Sequence, residues 1–193
     1  MTITSRNLDG YGTPAIDWAR VRDVLETQLT QAPDTGGPNR HTTWLTTINP
    51  DGSPHVVPVG VIVYQGNWYF TSGPGTRKSR NLARDPRCVF SVATDPFDLV
   101  VEGTAQRVLD SAELASAAKS FRDDGWPAVV DGDALTAEYS APSAGPPPWY
   151  VYRVDRSTVF AFGTSEPFGA TKFQISSPTA NNAPTPPDTS SGS

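Results

Sequence analysis

Five basic residues, Arg77, Lys78, Arg80, Arg84 and Arg87, crowd one short segment, TSGPGTRKSRNLARDPR (Thr71–Arg87), in a chain with fifteen in all. Arg77 and Lys78 stand at the predicted start of a short helix, directly after a strand and a Gly-Pro-Gly loop. A helix N-terminus already presents free N–H groups and the positive end of its dipole, so cations there are unfavourable unless an anion joins them. Phosphate is the usual guest of such a corner. Thr71, Ser72 and Thr76 add hydroxyl donors around it. A solvated basic helix, neutralised by Asp85 and nearby acids, is the plain alternative. No Walker-type or dinucleotide glycine pattern accompanies the cluster.

Other reactive residue types are sparse. Cys88, the one cysteine, alternates with Phe90 and Val92 on a strand face and reads as a small core residue. Nothing local ties His41 or His55, the only histidines, to Cys88 as a base. Two histidines and a cysteine without ligand spacing exclude a zinc site. Glu102 reads as a partly buried acid paired with an arginine. Trp149, Tyr150 and Tyr152 could line a flat-ring pocket, although aromatic strand residues are core by default. No nucleophile–base pair or metal clamp is legible for hydrolysis or phosphoryl transfer. Hydride transfer needs neither, because a cofactor carries the reactive atom while the protein grips and orients it. A phosphate grip without an acid–base constellation therefore leans towards a flavin-like cofactor.

The elements that must hold these residues divide the chain into three zones. Residues 1–40 carry a helix and a breaker-rich loop, Gln31–Arg40; Thr13 is the predicted cap, Pro14 suits the first turn, and Trp18, Val21, Leu25 and Leu29 recur at helical spacing. Residues 41–175 read mostly as strands. Thr42–Ile48, His55–Tyr64 and Trp68–Ser72 form a meander joined by the Asn49-Pro50-Asp51-Gly52 and Gln65-Gly66-Asn67 turns. Pro58 removes a ladder donor, so its strand has an edge, a bulge or a break there. Cys88–Thr94, Leu99–Leu109, Trp149–Val154, Thr158–Phe162 and Ala170–Ile175 continue the strands. A short helix runs from Thr76 to Arg84, and Asp110 with Glu113 opens a second that stops near Gly125 and Pro127. Residues 176–193 hold no aromatic residue and no aliphatic one larger than alanine, and read as a disordered tail. Few helices among many short strands imply a mainly β fold with flanking helices, a closed or half-closed antiparallel barrel.

Composition sets outer limits. The 193 residues fit one domain with tails, and 19 prolines with 16 glycines suit a loop-rich, β-rich chain. A net charge of −5 disfavours a nucleic-acid backbone as partner. No apolar run reaches the roughly 20 residues of a membrane span. The start lacks a secretory pattern, and a lone cysteine makes the cytoplasm the default compartment.

TTWLTTINPDGSPHVVPVGVIVYQGNWYFTSGPGTRKSRNLARDPRCVFSV followed by DLVVEGTAQRV resembles the pyridoxamine 5'-phosphate oxidase-like, flavin-binding split-barrel superfamily. More narrowly it resembles the actinobacterial branch that uses the deazaflavin coenzyme F420. The match runs over residues 12–175. It is sharpest at Asp51-Gly52-Ser53-Pro54, Val57-Pro58-Val59, Thr71-Ser72, Thr76-Arg77-Lys78, Asn81-Leu82, Asp85-Pro86-Arg87 and Glu102-Gly103-Thr104-Ala105. The resemblance implies a six-stranded antiparallel split barrel, a homodimer with two cofactor sites at the subunit interface, and no nucleic-acid or membrane partner. It implies that Val57, Pro58 and Val59 lie along the cofactor ring. Thr71, Ser72, Thr76, Arg77 and Lys78 would hold the phosphate, with Asn81 nearby. Residues near Trp149 and Lys172 would come from the second subunit. Lys172-Phe173 stands where relatives often carry Arg-Trp, which keeps the charge but loses the planar guanidinium and the indole. The implied activity is hydride transfer between F420 and a small unsaturated or aromatic acceptor. FMN is the alternative cofactor, and a non-catalytic flavin or deazaflavin binder the alternative class. The anionic tail of F420 suits the surplus cations Arg80 and Arg84.

Overall fold

The computed structural model describes residues 1–26, 29, 43–141 and 144–176. The predicted loop Gln31–Arg40, His41 and the tail from 177 onward lie outside these residues. The first element is a strand that composition conceals. β1 (Thr2–Asn7) is polar and largely exposed, yet it pairs antiparallel with Thr171–Ser176 at the far end of the chain. Residues placed in an N-terminal zone by composition thus form an edge of the main sheet.

Helix α1 (Trp18–Glu26) begins later than the Thr13-Pro14 signal predicts. Asp9 takes the Tyr11 and Thr13 backbone N–H groups at 2.8 Å each, winding residues 9–13 into a side-chain-closed turn instead. Asp17 then accepts from Ala19 N at 3.0 Å and opens the helix. Val21 and Leu25 are fully buried, and Leu29 packs against the same core.

The first hairpin closes as its turn chemistry requires. β2 (Thr43–Ile48) and β3 (Pro54–Val59) are joined by a turn in which Gly52 has φ +83° and Asn49 accepts from its N–H at 2.9 Å. The predicted strand His55–Tyr64 breaks at Gly60-Val61. Beyond the break β4 (Ile62–Tyr64) pairs not with β3's neighbour but with β5 (Asn67–Ser72), through a turn with positive φ at Gln65 and Gly66. β3 is an edge strand, which accounts for Pro58. Helix α2 (Arg77–Arg84) is capped by Thr76 and ends at Asp85.

β6 (Arg87–Ala93) and β7 (Phe97–Arg107) follow, then α3 (Ser111–Asp123), whose cap Asp110 accepts from Glu113 N at 2.8 Å. A small hairpin, β8 (Val129–Asp131) with β9 (Ala134–Thr136), was not legible in the sequence. The predicted strands Trp149–Val154 and Thr158–Phe162 are one continuous strand, β10 (Tyr150–Gly163), with a register shift between Arg156 and Thr158. The polar run Asp155-Arg156-Ser157 is a bulge rather than a loop. β10 pairs with β5, β7 and β11 (Ala170–Ser176) and is the spine of the molecule.

The antiparallel sheet therefore holds nine strands rather than six, ordered β1-β11-β10-β7-β6-β2-β3 with β5 and β4 branching from β10. No pairing among the described residues joins β3 to β4, so the sheet is not closed into a barrel. Its inner face buries Leu45, Trp68, Phe70, Phe90, Leu99, Val101, Val159 and Phe173. Each such side chain is worth roughly 1.5–3 kcal/mol of apolar transfer. A second core sets α3 through Leu114, Ala117, Ala118 and Phe121 against Ile62, Tyr69 and Val151. Tyr69 donates to Glu113 at 3.0 Å, and Arg153 meets the same carboxylate at 3.0 Å. Burial and Glu113 push the Tyr69 phenol up to about 12, so it stays a donor and moors the first turn of α3 to the sheet. No helix of the described residues is long and apolar enough to cross a membrane.

Candidate functional site

β5 delivers Thr71 and Ser72 to the start of α2, where the predicted anion corner takes shape. The hydroxyls there form a directed chain. Ser79 Oγ donates to Ser72 Oγ at 2.8 Å, the Ser72 and Thr76 hydroxyls share a 2.8 Å bond, and Thr76 Oγ1 donates to Gly73 O at 2.9 Å. Ser72 is fully buried. Its hydroxyl and that of Thr76, both predicted phosphate donors, are thus engaged in building the corner rather than left open. Gly73 is required by packing. A Cβ there would lie 2.5 Å from the Ala144 carbonyl, which accepts the Gly73 N–H at 3.2 Å.

The five cations separate into three roles. Arg87 is paired with Asp85 at 2.6 Å, and Arg84 donates to the Ile48 carbonyl at the end of β2. Both belong to the fold. Arg77 and Arg80 are exposed. Lys78 alone turns inward. It is 8% exposed and, among the described residues, has neither hydrogen bond nor ion pair. Burial holds its ammonium below the ordinary lysine value. His55 on β3 is likewise held low, first by burial and then by Arg77 and Lys78, and stays neutral at pH 7.

Lys78 faces a cavity of about 230 Å³. One wall is the β3–β4 link, Pro58 to Ile62, with Thr71; the other is Phe121, Asp124 and Trp126 at the end of α3 with the segment Tyr139–Ala141 and Ala144. An apolar slot lined by a largely buried lysine with no protein partner among the described residues suits a ring that carries an anion.

The sequence profile described as pyridoxamine 5'-phosphate oxidase matches residues 29–144. The chain belongs to the pyridoxamine 5'-phosphate oxidase family. Its fold is also that of a conserved hypothetical protein from Mycobacterium tuberculosis, at 19% identity and TM-score 0.54 over 80% of this chain and 89% of that one. A heme binding protein from Mycobacterium smegmatis shares 14% identity at TM-score 0.54 over 81% of this chain and 59% of its own length. A protein of unknown function from Agrobacterium tumefaciens shares 17% at TM-score 0.51, over 79% and 60%. At these identities the likeness is one of fold. No curated protein sequence matches the chain.

Of the residues that the resemblance assigns to a cofactor, this member of the pyridoxamine 5'-phosphate oxidase family brings Pro58, Val59, Thr71 and Lys78 to one cavity. Val57 turns towards the core instead. Asn81 is 2% exposed and donates to Thr47 and Asn49, both at 3.1 Å, clamping α2 to the β2–β3 hairpin. Trp149 is 3% exposed, donates to Gly145 at 3.0 Å and packs against Trp126, so it is a core residue of its own chain. Lys172 sits on β11 with its ammonium 5.5 Å from the Phe160 ring, outside the cavity lining. Glu102 has no ion pair among the described residues, because its neighbours in register are Val89 and Thr158. The lining residues from α3 and the segment after β9 carried no sequence signal beyond the aromatic types Trp126 and Tyr139.

Cys88 is buried, and desolvation pushes its thiol up to about 12. Thiolate is scarce well below that value, so native protein at pH 8 is expected to be inert to thiol reagents and denatured protein to titrate one thiol. Labelling of native protein within minutes would show that the β6 face opens.

Proposed function

We propose that the protein binds a flavin-type cofactor and works as an oxidoreductase. The observation that carries this reading is Lys78, a buried cation without a partner at the head of an apolar slot, in a chain of this family. The residues fit such a group. Lys78 with the Thr71 hydroxyl would hold its phosphate, and Pro58 to Ile62 would lie beside its ring. When bound, the cofactor supplies the hydride chemistry. The chain supplies grip, orientation and exclusion of water: Val59, Val61, Ile62 and Phe121 shield the slot. Pro58 lacks an N–H, so this part of β3 offers a flat surface rather than a ladder. Solvent at the open side of the slot, beside the 59% exposed Tyr139, would supply the proton.

Coenzyme F420 is the finer reading. Its anionic tail needs cations beyond Lys78, and Arg77 and Arg80 are available for it, whereas Arg84 and Arg87 are engaged. FMN needs the Lys78 corner alone. Side-by-side fluorescence titrations of the full chain with F420 and FMN test the proposal. Selective, saturable binding of either supports it and fixes the cofactor; binding of neither removes it.

We also propose a homodimer with a small-molecule acceptor, in which Lys172 of one copy would approach the other's cofactor. Trp44 (44% exposed) and Val56 (51%) lie on the outward side of the β2–β3 edge, with Pro58 directly opposite Trp44. An exposed apolar group of this kind supports placing the dimer contact there. Sedimentation is expected to give a dimer, and Trp44→Glu a monomer; a monomeric wild type would contradict the assembly.

A further inference from the structure

The two walls of the cavity differ in chemistry. The wall opposite the β3–β4 link is braced by a pair of reciprocal hydrogen bonds. Trp126 Nε1–H donates to Tyr139 O at 2.7 Å, and the Tyr139 hydroxyl donates to Gly125 O at 3.2 Å. The Trp126 ring meets Phe121 edge-on at 5.4 Å and Trp149 at 5.6 Å. This aromatic wall is held rigid although Tyr139 is exposed.

Asp124 stands in that wall. Among the lining residues it is the one acid, as Lys78 is the one base. Its neighbour Asp123 is tied to Lys119 at 2.6 Å, but the Asp124 carboxylate has no hydrogen bond or ion pair among the described residues. It also occupies the C-cap of α3, where the negative end of the helix dipole makes a carboxylate unfavourable. An acid held there without a partner, facing a slot, is placed to receive a donor from outside. Lys78 does not serve as that partner, since it too has none.

We infer that Asp124 sets the class of acceptor this site takes: a flat ring bearing an N–H or O–H donor, neutral or cationic, without a carboxylate or phosphate. The inference rests on the reading above, in which the phosphate of the cofactor answers Lys78 and leaves Asp124 as the uncompensated charge beside the acceptor. A carboxylate brought roughly 5 Å from Asp124 at the edge of a partly wet site loses on the order of tenfold in affinity. A donor gains a charge-assisted hydrogen bond.

Nicotinamide and nicotinate make a matched pair of probes, with the same ring and an amide donor in place of a carboxylate. Binding of each is read from the fluorescence of the bound cofactor, in full-length protein loaded with whichever of FMN or F420 it binds. Wild type is expected to hold nicotinamide about tenfold more tightly than nicotinate. Asp124→Asn should bring the two within about threefold, and Asp124→Lys should reverse their order. Both variants remove an acid from an exposed C-cap, so neither threatens the fold. Equal affinities in wild type, no binding of either probe, or a preference unchanged in Asp124→Asn overturns the inference while the cofactor reading stands. Failure of the wild type to load a cofactor removes that reading and this inference with it.

Discussion

Lys78→Met is expected to lower cofactor affinity about 30-fold or more while leaving the protein as stable as before, or more so. Losing one member of a buried, hydrogen-bonded charge pair costs about 2–5 kcal/mol of binding, and each 1.4 kcal/mol is tenfold. The stability effect has the opposite sign, because the empty protein holds this ammonium without a partner. Its value in the folded chain is lowered by burial, so the unfolded chain binds more protons between that value and the ordinary 10.5. The cost of the charge is therefore full at neutral pH and fades as pH rises through that window. Cofactor affinity runs the other way, highest below the folded value and lost above it. Titrations of wild type from pH 7 to 10 and thermal melts of Lys78→Met read the two trends. Arg80→Ala, at an exposed position two residues further on, should change FMN affinity little. Equal losses for Lys78→Ala and Arg80→Ala would place the anion elsewhere.

Gly103→Ala should unfold the molecule more readily than any other single methyl added to a glycine. A Cβ on Gly103 would sit 2.2 Å from the Asp155 carbonyl oxygen and 3.1 Å from Arg156 Cα, both backbone atoms of β10. These lie next to the β10 register shift, where β7 and β10 come unusually close. Strand backbone cannot step aside without parting the spine of the sheet, so we expect a loss of about 3 kcal/mol. For a chain of this size that corresponds to roughly 10 °C in melting temperature. Gly75→Ala is the control, since a Cβ there meets nothing within 4 Å. Similar melts for the two variants would mean that the bulge relaxes at little cost.

The Glu102-Gly103 match thus has a packing reason, and the Thr76-Arg77-Lys78 match a partly different one from the phosphate grip expected of it. Thr76 and Ser72 build the corner through hydrogen bonds to each other and to Gly73, and Lys78 with Thr71 is left to face the cavity. The basic cluster likewise held Arg84, read as a surplus cation, and Arg87, yet their partners are Ile48, 36 residues back, and Asp85.

Local chemistry was legible in the sequence wherever its partners lie within a few residues. The Asp51-Gly52 turn, the Thr76 and Asp110 caps, the stop at Gly125 and the alternation of Cys88, Phe90 and Val92 all act over one turn or one strand repeat. They determined the α2 and α3 helices, the first hairpin and the place of the basic cluster. Tertiary structure decided the rest. β1 is too polar to announce itself and exists because Thr171–Ser176 offers it a free edge. β3 and β4 part at Gly60 because their pairing partners lie on different branches of the sheet. Which cation turns inward, and that Asp124 faces it across a slot, depends on α3 docking against β4 and β5 through Tyr69 and Glu113. Short-range periodicity carries no information about contacts made 40 or more residues apart, and a binding cavity is made almost wholly of those.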